Sequence, residues 1–113
     1  MSSRSDIQRL NDILDAIAIV ENDVRELNEA RFLDDGKTQR SVLYSLSVIG
    51  EAAAKLSPET QNQCPEIPWQ DVKGMRNYII HEYFRVNLDI VWDAIRSDLP
   101  RLKTAIVSIL RSR

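Results

Sequence analysis

Most of this chain's capacity for chemistry lies in one short stretch, Gly74-Met75-Arg76-Asn77-Tyr78-Ile79-Ile80-His81-Glu82-Tyr83-Phe84. Arg76 is a permanent cation whose planar guanidinium suits a phosphate group. His81 is the only histidine, and imidazole is the side chain that gives and takes protons near neutrality. Asn77 offers an amide able to orient an imidazole, and Tyr83 offers a phenolic hydroxyl. One base, one cation and one orienting group suffice for metal-free attack on a phosphodiester. The same residue types also make a helix cap and an ion pair, because a histidine in a helix's last turn is favoured by the dipole alone. Residue types by themselves leave both accounts open.

The rest of the composition narrows the field. Cys64 is the single cysteine, which excludes an intramolecular disulfide and any multi-cysteine zinc site. With one histidine there is no His-rich metal centre either, so neither metal nor cofactor is expected. No apolar run approaches the roughly 18 residues of a membrane-spanning helix, and Met1–Asp6 lacks the apolar stretch of a secretion signal. The expectation is a cytoplasmic protein with no membrane contact. The net charge of −2 argues against bulk, non-specific nucleic-acid binding. That balance is uneven: residues 1–60 carry −4 and residues 61–113 carry +2. The basic half holds the motif, although a solvated basic helix face is the plainer account of the excess.

These groups need a scaffold, and 113 residues are enough for one domain, 1–113. Ile7, Leu10, Leu14, Ile17, Val24 and Leu27 recur at helical spacing, predicting a helix from Ser5, as N-cap, to Glu29. Phe32-Leu33-Asp34-Asp35-Gly36 reads as a connector. A second helix, Thr38 to Leu56, carries the stripe Val42, Leu46, Ile49, Ala53 and Leu56. Gly50 within it costs about 1 kcal/mol relative to Ala, which points to a close helix crossing or a functional approach. Ser57-Pro58 caps and opens a short helix. The prolines at 65 and 68 keep Cys64–Trp69 out of regular helix, leaving a connector anchored by Ile67 and Trp69, with Cys64 a plain member of it. A third helix, Trp69 to Tyr83, carries Val72, Met75 and Ile79. A fourth starts after Asn87 and runs to Leu110, with a kink at Pro100 or a break restarted by Ser97. Trp69 and Trp92 read as core or interface anchors in preference to base-stacking platforms. The fold class is all-α: an antiparallel bundle of four main helices plus a short connector helix.

Helical geometry constrains the motif. At 100° per residue Asn77 and His81 stack one turn apart and Arg76 and Tyr83 two turns apart, but Arg76 and His81 differ by about 140°. His81 also lies opposite the Val72–Met75–Ile79 stripe. Either the helix ends or distorts here, or Arg76 reaches around it, or a second copy completes the site. The scarcity of functional groups per chain favours the second copy.

Arg76, His81 and Tyr83 form the pattern Arg-x4-His-x-Tyr, with a polar residue after the arginine, and so resemble the HEPN superfamily (higher eukaryotes and prokaryotes nucleotide-binding). Ile49-Gly50-Glu51-Ala52-Ala53, Leu56-Ser57-Pro58-Glu59, Pro65-Glu66-Ile67-Pro68-Trp69, Gly74-Met75-Arg76-Asn77 and Asn87-Leu88-Asp89-Ile90-Val91-Trp92 are similar, in order and spacing, to its HepT-like toxin branch. The short motif is weakly specific; the ordered set, covering nearly the whole chain, is strong. The resemblance implies a helical bundle that homodimerises with its motifs on a shared cleft. It also implies a metal-independent endoribonuclease toxin, neutralised by a cognate MNT-type nucleotidyltransferase antitoxin. Carried onto this sequence, His81 is general base or acid at the ribose 2′-hydroxyl and Arg76 stabilises charge on the phosphate. Asn77 holds the imidazole, Tyr83 is the tyrosine that receives AMP, and Glu51 is a possible cleft residue or a solvated carboxylate. Glu82 stands where many relatives have something smaller, and its charge disfavours RNA. Two other readings stay in view: a non-catalytic module binding a nucleotide or a nucleotidyltransferase, and a dimeric helical scaffold.

Overall fold

The computed structural model describes residues 4–112. Its elements in chain order are α1 (Arg4–Val24), α2 (Glu29–Leu33), α3 (Gly36–Ala54), α4 (Pro58–Asn62) and α5 (Trp69–His81), followed by a 3-10 turn (Tyr83–Arg85), α6 (Leu88–Asp93), a π turn (Ala94–Asp98) and α7 (Leu99–Arg111). The described residues contain no strand, so the fold is all-α. The four main rods are α1, α3, α5 and the continuous α6–α7 arm, with α3 packed between α1 and α5, and α7 laid on α1.

Paired contacts fix the directions. Asp6 near the start of α1 meets Ser57 just past the end of α3, while Asp23 near the end of α1 accepts a hydrogen bond from Ser41 near the start of α3. The two helices are therefore antiparallel. Lys103, early in α7, reaches Glu21, late in α1, at 3.1 Å, so this pair is antiparallel as well.

Most of the predicted stripe residues form the core, although Ile7 is exposed and Leu14, Leu27, Met75 and Leu88 are only partly buried. Leu10, Ile17, Val42, Leu46, Ile49, Ala53, Leu56, Val72, Ile79, Val91, Ile95, Leu99, Leu102, Ile106 and Ile109 are all buried. Each large apolar side chain so placed contributes about 1.5–3 kcal/mol relative to exposure. Ile67 and Trp69 are buried as the anchors of their connector, and the indole N–H of Trp69 donates to the Gln61 and Cys64 carbonyls. Asp6 is buried too, and it accepts from the Ser57 N–H at 3.1 Å, the Ser57 hydroxyl at 2.6 Å and the Thr60 hydroxyl at 2.7 Å. A carboxylate met by several donors compensates much of its lost hydration. It ties the start of α1 to the cap of α4.

Five local expectations need correction. Arg4 is already in helix α1, so Ser5 lies inside it and is not its cap. The first helix stops at Val24 rather than Glu29. The chain turns through Leu27, and Asn28 caps a separate helix α2 by accepting from the Arg31 N–H. Phe32 therefore belongs to a helix, not a connector, and this turn buries its ring against Trp92 at 5.3 Å. Helix α3 begins at Gly36, because Asp35 caps it by accepting from the Thr38 N–H and hydroxyl. Helix α5 stops at His81 instead of Tyr83.

Pro100 does not restart the last helix at Ser97. A proline ring inside a helix collides with the carbonyl four residues back, here that of Arg96. The backbone instead widens into a π turn, in which the Leu99 N–H donates to the Ala94 carbonyl five residues back. Asp98, not Ser97, precedes α7, and it makes no side-chain cap.

Candidate active site

Helix α5 carries the motif, and its packing decides where each side chain goes. Gly50 of α3 lies directly against it. A Cβ at position 50 would stand 2.9 Å from the Arg76 nitrogen, 3.1 Å from the Val72 carbonyl oxygen and 3.3 Å from the Arg76 Cβ. Only a residue without a side chain permits this crossing, which is the close approach that a glycine in mid-helix implies. Because the crossing falls at Arg76, it fixes the root of that side chain against α3.

Next to Gly50, Glu51 meets Arg76, with Oε2 at 3.4 Å from Nε, and Lys55 approaches the same carboxylate at 3.8 Å. All three side chains are about half exposed, so water screens these pairs and each is worth at most about 1 kcal/mol. Their consequence is positional: Glu51 aims the guanidinium along the α3 side of α5. There it borders a cavity of about 270 Å³ lined by Arg9, Asp12, Tyr44, Ser47, Val48, Glu51, Ala52 and Arg76. Arg9, Tyr44 and Ser47 were not singled out in the sequence. A signal was present, since Tyr44 and Glu51 are seven residues apart and so share one helical face turned away from the apolar stripe.

His81 stands elsewhere. Helix α5 is regular from Trp69 to His81, so the angle of about 140° from Arg76 is kept, together with an axial rise of about 7.5 Å. The helix ends where the Glu82 N–H donates to the Tyr78 carbonyl at 2.9 Å, which places His81 in its last turn, exposed. The Asn77 side chain is exposed and forms no hydrogen bond with His81 among the described residues. Tyr83 follows in the 3-10 turn, 43% exposed, its ring edge-to-face with Phe84 at 5.4 Å. Phe84 itself is 96% exposed. One chain thus brings Arg76 and Glu51 together and leaves Asn77, His81 and Tyr83 open beside a bare apolar surface.

A second and larger cavity, about 1020 Å³, lies between α5 and the α6–α7 arm and is mostly apolar. None of Arg76, Asn77, His81 or Tyr83 lines it. Tyr78 borders it and accepts a hydrogen bond from the Asn87 N–H at 3.1 Å, which links the end of α5 to the start of α6. Cys64 also lines it; burial is the main reason its thiol pKa is raised. Among the described residues no three His, Cys, Asp or Glu side chains gather where they could hold a metal ion, and no helix is long and apolar enough to cross a membrane.

Residues 13–109 match the family described as ribonuclease HepT-like, a span that includes every element bearing on the motif. The chain belongs to this family. Among curated relatives of this HepT-like chain is a Thermococcus cleftensis protein named "Probable ribonuclease HepT". It is 39% identical over 100 residues, covering 88% of this chain and 91% of the relative. A Methanocaldococcus jannaschii protein named as an RNase is 36% identical over 91 residues, covering 80% and 75% of the two chains. One from Caldanaerobacter subterraneus, also named as an RNase, is 35% identical over 88 residues, covering 78% and 79%. No solved structure matches at a significant level.

Proposed function

We propose that this HepT-like chain is a metal-independent endoribonuclease and the toxin of a toxin–antitoxin pair, acting in the cytoplasm as a single-domain homodimer. The observation that carries the reading is the intact Arg-x4-His-x-Tyr set at the end of α5, solvent-exposed, in a chain of a ribonuclease family. His81 removes the proton of a ribose 2′-hydroxyl. The 2′-oxygen attacks the adjacent phosphorus, the bond to the 5′-oxygen breaks, and a protonated imidazole supplies the proton that the leaving oxygen takes up. A 2′,3′-cyclic phosphate and a 5′-hydroxyl result. Arg76 stabilises the extra negative charge on the phosphoryl oxygens, which is the kind of interaction that accelerates such steps most.

Arg76 and His81 point to different faces of one helix, so base, acid and cation converge when two copies place their α5 ends in one cleft. Ile80, Tyr83 and Phe84, exposed around His81, offer the apolar surface that such an interface would bury. Asn77 supports the imidazole once the partner closes the cleft. The exposed Tyr83 hydroxyl is where a nucleotidyltransferase antitoxin would act: the phenolic oxygen attacks the α-phosphorus of ATP, and pyrophosphate leaves. The resulting anion beside Arg76 and His81 excludes an RNA phosphate by occupancy and repulsion.

The test is RNA cleavage by purified protein in the presence of a chelator. Wild type should cut RNA, and Arg76→Ala and His81→Ala should each abolish cutting and cellular toxicity. Uncut RNA, with toxicity untouched by either substitution, refutes the reading. The Glu51–Arg76 ion pair favours a second account, a non-catalytic module that binds a nucleotide or a nucleotidyltransferase. On that account Arg76→Ala weakens complex formation and changes no RNA.

A further inference from the structure

The cavity beside Arg76 has a chemistry of its own. Its charged lining consists of two guanidiniums and two carboxylates: Arg9 pairs with Asp12 at 3.7 Å and Arg76 with Glu51 at 3.4 Å. Four charges of balanced sign make a poor trap for a lone phosphate, which binds where positive charge is in excess. The same set presents donors and acceptors side by side, as the edge of a nucleobase does. Two further observations point to an absent ligand. The Arg9 Nε is buried yet has no hydrogen-bond partner, an arrangement that costs free energy unless something supplies the acceptor. At the mouth, Tyr44 exposes 73% of its surface, and its hydroxyl makes no hydrogen bond among the described residues. An aromatic ring left open beside a polar recess is a surface on which a base can stack.

We infer that this cavity is a base-binding subsite, taking the nucleobase of a nucleotide that flanks the scissile phosphodiester. It rests on the ribonuclease reading, because Arg76 is shared between cavity and scissile phosphate. The base stacks on Tyr44, its edge meets Arg9 and Asp12, and its backbone runs out past Arg76 toward the exposed end of α5. Tyr44 is thereby a specificity-determining residue on α3, remote in sequence from the motif. Since Arg9 and Asp12 belong to α1, all three helices of the α1–α3–α5 layer contribute to substrate recognition.

Binding of a fluorescent, non-cleavable 2′-O-methyl oligoribonucleotide to the full-length protein, followed by anisotropy, tests the inference. Tyr44→Ala should weaken binding about tenfold, the loss of one base–aromatic stack, and Tyr44→Trp should restore it. A single abasic position moved along the oligonucleotide should reproduce that loss at one place only, and there Tyr44→Ala should add nothing. Unaltered binding by Tyr44→Ala, or an equal loss wherever the abasic position lies, overturns the subsite. The two proposals fail separately. RNA left uncut with Tyr44-dependent binding intact removes the nuclease and keeps the subsite; RNA cut with binding indifferent to Tyr44 does the reverse.

Discussion

Replacing Gly50 by alanine tests the central packing claim, that α3 and α5 touch backbone to backbone at Arg76. In an ordinary helix interior the change stabilises by up to about 1 kcal/mol. At Gly50 the new methyl would sit 2.9 Å from one backbone atom and 3.1 Å from another, where ordinary contacts to carbon begin near 3.5 Å. Neither neighbour is a flexible side-chain end, so the helices must part by roughly half an ångström, an overpacking that costs about 1–3 kcal/mol. The net expectation is a loss of up to about 2 kcal/mol once the helix gain is subtracted. Gly74 in α5 is the matched control, since an added Cβ there meets nothing within 4 Å. Gly74→Ala should therefore be neutral to stabilising by up to about 1 kcal/mol. Urea or thermal unfolding followed by circular dichroism reads the contrast: the helix gain is common to both variants, so the overpacking of about 1–3 kcal/mol should separate their melting points by roughly 4–12 °C, at about 4 °C per kcal/mol. If Gly50→Ala is as stable as Gly74→Ala, the crossing is looser than described and the argument for Gly50 fails.

Three other expectations follow from the same structure. Asp6→Ala strips the shared acceptor from Ser57 and Thr60 and should cost about 2–3 kcal/mol in urea unfolding; Asp6→Asn, which keeps one acceptor oxygen, should cost less. Phe32→Ala should cost about 3–5 kcal/mol, as deletion of a fully buried ring does, and near-ultraviolet dichroism should show Trp92 losing its ordered environment. The bonds from the Thr38 N–H and hydroxyl hold the Asp35 carboxyl below its usual pKa of 3.8. Its stabilising effect is thus complete above that value and lost as pH falls through it toward the lower folded value. Asp35→Asn should flatten that acid limb of a stability–pH curve and lower the neutral plateau toward the acid level, because the contribution it removes is the one present at neutral pH.

The long elements were legible because each apolar stripe had one period to follow and no rival. Ser57-Pro58 and Asn87 worked for the same reason, as local chemistry that tertiary packing did not override: Ser57 accepts from the Thr60 N–H, and Asn87 from Asp89 and Ile90. The misplaced boundaries have a common cause. At Val24–Glu29 the periodicity runs on through Leu27, and only the need to bring Phe32 onto Trp92, sixty residues later, bends the chain. The π turn was invisible because proline's conflict with a helical carbonyl has several solutions, and sequence does not rank them. In the site, Gly50 was readable from residue type and place, and the divergence of Arg76 from His81 from spacing alone, whereas Glu51 entered only through the family resemblance. Arg9 and Asp12 were not, because nothing in a helix says which neighbour its polar face will meet.

The wide turn at Ala94–Asp98 has a consequence for how this chain can vary in length. A π turn holds one more residue than an α turn, so the last rod in effect carries a single-residue insertion. Removing that residue while keeping Pro100 would close the turn and drive the ring into the Arg96 carbonyl. Removing the proline while keeping the residue leaves a bulge with nothing to fix its place. Insertion and proline thus form one heritable unit, gained or lost in company, and an alignment gap near 94–98 should travel with a change at position 100.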